Sequence, residues 1–365
     1  MHPSQSRRAF AALVWAGLLV GSGAMSVAHP EAACVVEVSK DSSGPFKRHV
    51  NADCTTAERE ANAVEGASVM KALAKGRAVD LVGVVIRGGL LFDRLPVQSV
   101  RTPKDLSSEQ QDALNRLNAG EVRSVSSPVT IRDSMVQGRL RHRSATGTLQ
   151  FEGAVDFHGT RFTQGVDLSR SVFQRSVDVS AAVFEQEAYW IQGQFGAAMN
   201  CEGTKFGPHT RFHRAIFRGP VECSGALFDG VTEFLEATFE QEAVFANTRF
   251  GLGTGFSGSR FTRRVSFADA IFSREAFFTF TRFEADAVFS GAQFLAMADF
   301  SNAVFTKADD VSRAHFDRPP LFENAKRQAQ GSEIGVTQST GSQYVVTLAL
   351  LVVAALLVAY IFRMK

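Results

Sequence analysis

The chain runs to 365 residues and sets 39 Lys and Arg against 37 Asp and Glu, a formal net charge of +2. That near-neutral balance excludes the strong basic field that nucleic-acid binding calls for. Phe, at 32 residues, is the compositional excess, and its placement decides the reading of the fold.

Residues 1–28 read as an export signal. Arg7 and Arg8 form a basic start, Ala9 to Val27 an apolar stretch, and Ser26-Val27-Ala28 offers small residues for cleavage. Ser6-Arg7-Arg8-Ala9-Phe10 is similar to a twin-arginine signal, so the general and the folded-export routes both stay open, as does an uncleaved anchor. Residues 29–78 form a Cys-containing segment with a capping helix. Cys34 and Cys54 flank a polar loop in an exported region, so a disulfide is expected, closing a loop worth about 3 kcal/mol. Thr56 to Ala74 has helical character, with a Thr cap, early Glu58 and Glu60, and Gly76 as a stop.

Residues 79–150 read as irregular first coils with a helical insertion. Leu81 to Phe92 is strand-like, and Val85-Ile-Arg-Gly-Gly-Leu90 matches Met135-Val-Gln-Gly-Arg-Leu140. Between them, Ser107 to Asn118 predicts a second helix, expected to lie over the first coil and cover its open strand edge.

From Phe151 to Phe316 a Phe stands at every eleventh position, sixteen in all, without a miss. A second series follows six residues behind, from Phe157, Leu168, Val179, Trp190, Cys201, Phe212 and Cys223 to Phe322, and the two together hold 26 of the 32 Phe. Two residues before each first-series Phe, from Thr160 to Ala314, stands Ala, Gly, Ser or Thr. Large and small side chains two apart on an extended chain share a face. Fixed-period self-similarity over residues 151–322 means a solenoid. Short extended sides would bury one large and one small residue each, and four sides would close a 22-residue coil. Coils about 4.8 Å apart would stack their Phe rings offset face to face.

Residues 323–343 are polar with scattered Gly, Ser and Gln, a flexible linker. Residues 344–362 carry no charge over a length that spans a bilayer core, and a cationic tail, 363–365, follows. The sequence therefore predicts a transmembrane helix with its C-terminus cytoplasmic and the repeat outside the cytoplasm. Pro319-Pro320 is expected to blunt the last coil.

The repeat resembles the pentapeptide-repeat family, whose motif sets Ala, then Asp or Asn, then Leu or Phe, before two free positions. Val-Asp-Phe157, Val-Asp-Leu168, Val-Asp-Val179 and Ala-Asp-Phe300 carry the middle Asp, and Ala226-Leu-Phe228 does not. The resemblance implies an all-β fold, a right-handed quadrilateral β-helix, here with N-terminal helical capping segments and the C-terminal transmembrane helix. The step is eleven rather than ten, so one side in two carries an extra residue, read as a bulge.

Chemistry-bearing constellations are sparse. His209 and His213 stand four apart beside Pro208, a metal spacing on a helix but not on a β-corner. Asp309-Asp310 and Glu185-Gln-Glu187 read as solvated charge rather than acid/base pairs. Cys201 and Cys223, one coil apart, read as small apolar residues stacked inside. Tyr189-Trp190 breaks the ladder, with Trp190 inside and Tyr189 outside. No catalytic, cofactor-binding or metal residues are assigned, and no cofactor is expected.

Three function classes follow. The first is a non-enzymatic scaffold anchored by a single membrane span and facing the periplasm or cell exterior, with an unidentified protein or glycan partner and no nucleic acid. The second comes from the resemblance, since some pentapeptide-repeat proteins mimic DNA and bind gyrase; the export signals disfavour it. The third is an exported β-helix that binds or cleaves glycans.

Overall fold

The computed structural model describes residues 33–39, 41–97, 108–117, 120–142 and 147–327. The expected export signal (1–28), span (344–362) and tail (363–365), and the linker beyond residue 327, lie outside them. Among the described residues no helix is long and apolar enough to cross a membrane.

Strands of two to five residues assemble into four sheets of 11, 11, 9 and 10 strands, referred to below as faces 1 to 4. In the regular region Val155–Asp156 lies on face 1, Arg161–Phe162 on face 2, Val166–Asp167 on face 3 and Ser171–Phe173 on face 4. Val177–Asp178 then returns to face 1, parallel to Val155–Asp156 with Val155 opposite Val177. This is a four-sided β-solenoid, about 4.8 Å per coil.

Closure sorts the sequence ladder into columns. The first-series Phe alternate between opposite sides: Phe162, Phe184 and Phe206 pair along face 2, and Phe151, Phe173 and Phe195 along face 4. Second-series residues follow the strands of faces 1 and 3 and point inward, and Phe157, Trp190, Phe212 and Phe245 are buried. Rings stack on the copy one coil away, as Phe162 on Phe184 at 4.9 Å and 6°, and Trp190 on Phe212 at 4.9 Å and 5°.

Two corner types alternate. In the four-residue corner, Thr160 N donates to Phe157 O at 3.0 Å and Gly159 has φ +64°. That is a type II turn, whose third residue needs a left-handed backbone. The same position recurs every eleven residues, as Arg170, Ala181, Gln192, Gly203 and onward to Asn302. The residue after it is the small one, and it is buried because it turns into the axis. Where it is Thr, the hydroxyl donates to a carbonyl of the preceding coil: Thr204 Oγ1 to Val179 O at 2.7 Å, Thr248 Oγ1 to Cys223 O at 2.8 Å. The middle Asp of the motif braces this corner, since Asp156, Asp178 and Asp299 each accept from the backbone N–H two residues on.

The other corner has three residues, such as 163–165, and no left-handed residue. Corners of three and four residues between two-residue strands make up the eleven-residue step. The expected bulge is therefore absent from the described repeat strands: neighbouring coils there pair residue for residue at a constant offset of 22. The irregularity is absorbed at corners, where it breaks no ladder hydrogen bond.

The early coils keep the four faces but not the spacing. The two matched segments pair directly, Ile86 with Val136 and Leu90 with Leu140, across 50 residues. The strand-like stretch 81–92 is in fact three strands around corners, Val79–Val82, Val85–Arg87 and Leu90–Leu91.

The predicted N-terminal helix is split. Helix α1 (Thr56–Ala61) and helix α2 (Gly66–Ala74) flank a two-residue strand, Val64–Glu65, which joins face 2. The cap is Thr55, whose Oγ1 accepts from Glu58 N while Glu58 returns a carboxylate to Thr55 N. Helix α2 buries Val69, Ala72 and Leu73 and so closes the first coil, with Val69 and Leu73 in the main core. Strand β1 (Val36–Val38) pairs antiparallel with β2 (Phe46–Val50), which extends face 1. Helix α3 (Ser108–Arg116) does not cover the open edge as expected. Ala113 and Leu117 pack on Val172, on the outside of face 4. With α2 already on the first coil, the apolar stripe of α3 finds cover on the flank of the rod.

Candidate functional site

Each face exposes rows of side chains repeating every 22 residues. On face 1 the row Asp156, Asp178, Asn200 and Glu222 is polar, and it turns to Val244, Ser266 and Val288 farther along. On face 3 the row runs Asp167, Tyr189, Arg211, Glu233, Gly255, Phe277 and Asp299.

Face 3 carries a shallow depression of about 200 Å³ lined by Ile191, Gln192, Arg211, His213, Arg214 and Glu233. Its cations are already matched. The Arg211 guanidinium sits 5.4 Å over the Tyr189 ring, with Nε 2.7 Å from Glu233. Arg214 lies 2.8 Å from Glu236, and that hydrogen bond holds the Glu236 carboxyl below the usual carboxylate range. His213 stands 3.9 Å from the same carboxylate. Similar pairs, Arg260 with Glu284 and Arg264 with Glu242, cross adjacent coils elsewhere. Exposed pairs of this kind contribute little stability each, but they leave the surface mixed in sign.

The sequence candidates fall as follows. Cys34 and Cys54 are joined, with Cα atoms 4.4 Å apart, tying the start of the described chain to the segment before α1. Cys201 and Cys223 are buried on neighbouring coils, as the repeat places them, but their sulfurs are also paired. Reading them as two separate apolar residues missed that their 22-residue spacing superimposes them. His209 lies on face 3 and His213 at its corner; among the described residues no group of three or more His, Cys, Asp or Glu could hold a metal ion. The two carboxylate pairs diverge: Asp309 turns to Arg327 and Asp310 to the backbone N–H of Phe289, while Glu185 pairs with Arg161.

One group escaped the sequence reading. Phe277 and Phe280 belong to neither Phe series, and both stand outside the core, Phe280 being 63% exposed. Leu252, Leu295 and Leu321 are exposed on the same part of the rod. The signal was present: six of the 32 Phe lie off the two ladders. Phe46 and Phe92 pack on the core, Phe10 and Phe362 lie outside the described residues, and Phe277 and Phe280 remain.

Fold and surface define the chain as a four-sided β-solenoid with flat, periodic faces. Residues 224–271 match the family described as Pentapeptide repeats (9 copies). No curated protein and no solved structure matches the chain.

Proposed function

We propose that this protein is a non-enzymatic interaction scaffold, tethered to a membrane by residues 344–362 and displaying its rod to the periplasm or cell exterior. The observation that carries the reading is the set of outward rows on faces 1 to 4. Their side chains repeat about every 4.8 Å on a backbone hydrogen-bonded from coil to coil, which suits a long, pre-organised contact surface. The export signal and uncharged stretch of the sequence support the placement, and the pentapeptide-repeat match supports the scaffold class. Right-handed winding, implied by the family resemblance, is part of the same reading. The partner is a protein or a glycan.

The test is a pair of fusions at Glu323. A reporter active only in the periplasm works there, and a cytoplasmic reporter is silent; the reverse removes the topology and reopens gyrase binding. Photo-crosslinking from Asp178 on face 1 and Tyr189 on face 3, in the full chain in cells, then captures a discrete partner. Failure from every face argues against a scaffold.

A further inference from the structure

Among the described residues seven large apolar side chains are exposed, and four of them, Leu252, Phe280, Leu295 and Leu321, belong to the last coils of the rod. All four lie on face 3 or at its flanking corners. Leu252 and Leu295 occupy the corner entering the face, Leu321 bridges to Asp299 on it, and Phe280 sits in the corner leaving it. Phe277 projects from the same face one coil before Asp299. The other three, Val35, Val38 and Val97, lie in the early part of the chain.

Phe280 is costly to keep for folding. It occupies the left-handed position of the type II turn, φ +58°, where the neighbouring copies at 247, 258, 269, 291 and 302 carry Asn, Gly, Asp, Gly and Asn. A side chain there costs roughly 1–2 kcal/mol, and an exposed ring recovers little of it by burial. Cations accompany the apolar groups. Arg274 and Arg318 fall in the corner column of Leu252, at steps of 22 and 66 residues, and both are exposed. Of the acids beside them, Asp299 accepts from Ser301 N and Asp317 meets His315; Glu275 alone stands next to Arg274 in the chain. Apolar side chains rimmed by arginine are the composition of a lipid-interface surface.

Chain continuity says where that lipid lies. The described chain ends at Arg327, six residues past Leu321, and residues 328–343 separate it from the uncharged stretch. A flexible chain of that length spans about 22 Å on average, which reaches the last coils but falls short of the first. The apolar patch is confined to the coils within that reach.

We infer that face 3, over the coils from Leu252 to Leu321, lies on the anionic surface of the membrane that residues 344–362 enter, with Phe280 inserted among the headgroups. This rests on the anchored reading above. It sets the rod's orientation: face 1 and the N-terminal coils turn away from the lipid and remain free for the partner.

The experiment uses the full chain reconstituted in phosphatidylglycerol/phosphatidylethanolamine vesicles, with Phe280→Trp compared against Val244→Trp on the opposite face. The expected result is a blue shift and a large loss of F280W emission when the lipids are brominated, with V244W unchanged relative to the parent chain. Equal responses at the two positions overturn the proposal while leaving the anchor intact. A blue shift at position 280 without quenching means that a second copy covers the patch, which also overturns it. If the full chain fails to float with vesicles, the anchored reading falls and the orientation falls with it.

Discussion

Phe272 and Phe294 stack one coil apart on face 2 with ring centres 4.6 Å apart and planes 1° from parallel. Each is also an edge-on neighbour of Phe278, which follows the strand of face 3. One ring therefore serves its own column and the adjoining one, so the rod's interior is a single connected aromatic lattice.

Phe272→Ala removes a fully buried ring from that lattice and should destabilise the protein by about 3–5 kcal/mol. Chemical denaturation checks it, and Phe272→Leu should cost markedly less. The small partner position is equally constrained. Ala270 is fully buried, so Ala270→Leu should overpack the axis and cost at least about 1–3 kcal/mol.

Phe280→Asn should act in the opposite direction. Asn tolerates the left-handed backbone better than Phe, so the variant should match or exceed the parent in thermal stability, by up to about 1 kcal/mol. A large loss of stability would show that the ring contributes to the fold. A variant that stays as stable as the parent while its rod no longer lies against vesicles separates the role of this side chain from folding.

His142 occupies the column of face 3 between Phe92 and Leu168, and it is 2% exposed. Burial lowers its pKa, opposed by the backbone hydrogen bond at Ser169 and by Asp93 and Asp167, while Arg123 lowers it further. A depressed folded-state pKa means that the neutral ring is the stable form. Its contribution is present above the unfolded value of about 6.5 and is lost as pH falls through the lower folded value. His142→Leu should remove that part of the acid sensitivity. Denaturation midpoints of the two proteins at pH 7.5 and pH 5 provide the comparison, with the parent losing more.

Cys34→Ser with Cys54→Ser should cost about 3 kcal/mol from a twenty-residue loop. The loss should appear in the parent on adding a reductant and be absent in the double variant. Because this bridge holds β1 near α1, hydrogen exchange should accelerate first in residues 33–50.

Much of the architecture was legible because an interior column demands the same side-chain size at each pass. That is why the Phe at 162, 184 and 206 and the small residues at 160, 182 and 204 can be read without coordinates. The match of Val85–Leu90 with Met135–Leu140 was legible for the same reason, and the structure pairs them strand to strand. The position of α3 was not, because its apolar stripe fits any exposed apolar spot and only the completed rod offers Val172. The outer surface was least legible. Phe280 reads as one more core Phe until its turn position is known, and Arg211 reads as a free cation until Glu233 is placed one coil away.

By itself the sequence determined the period, the four-sided coil and the identity of the buried residues, because repeated burial at a fixed spacing imposes a repeated size constraint. Tertiary structure alone decided which ladder members share a face, how corners absorb the eleventh residue, and which apolar groups stay outside. Those depend on closing the coil, which brings residues 22, 26 or 50 apart into contact, and no local pattern encodes the outward direction of a corner.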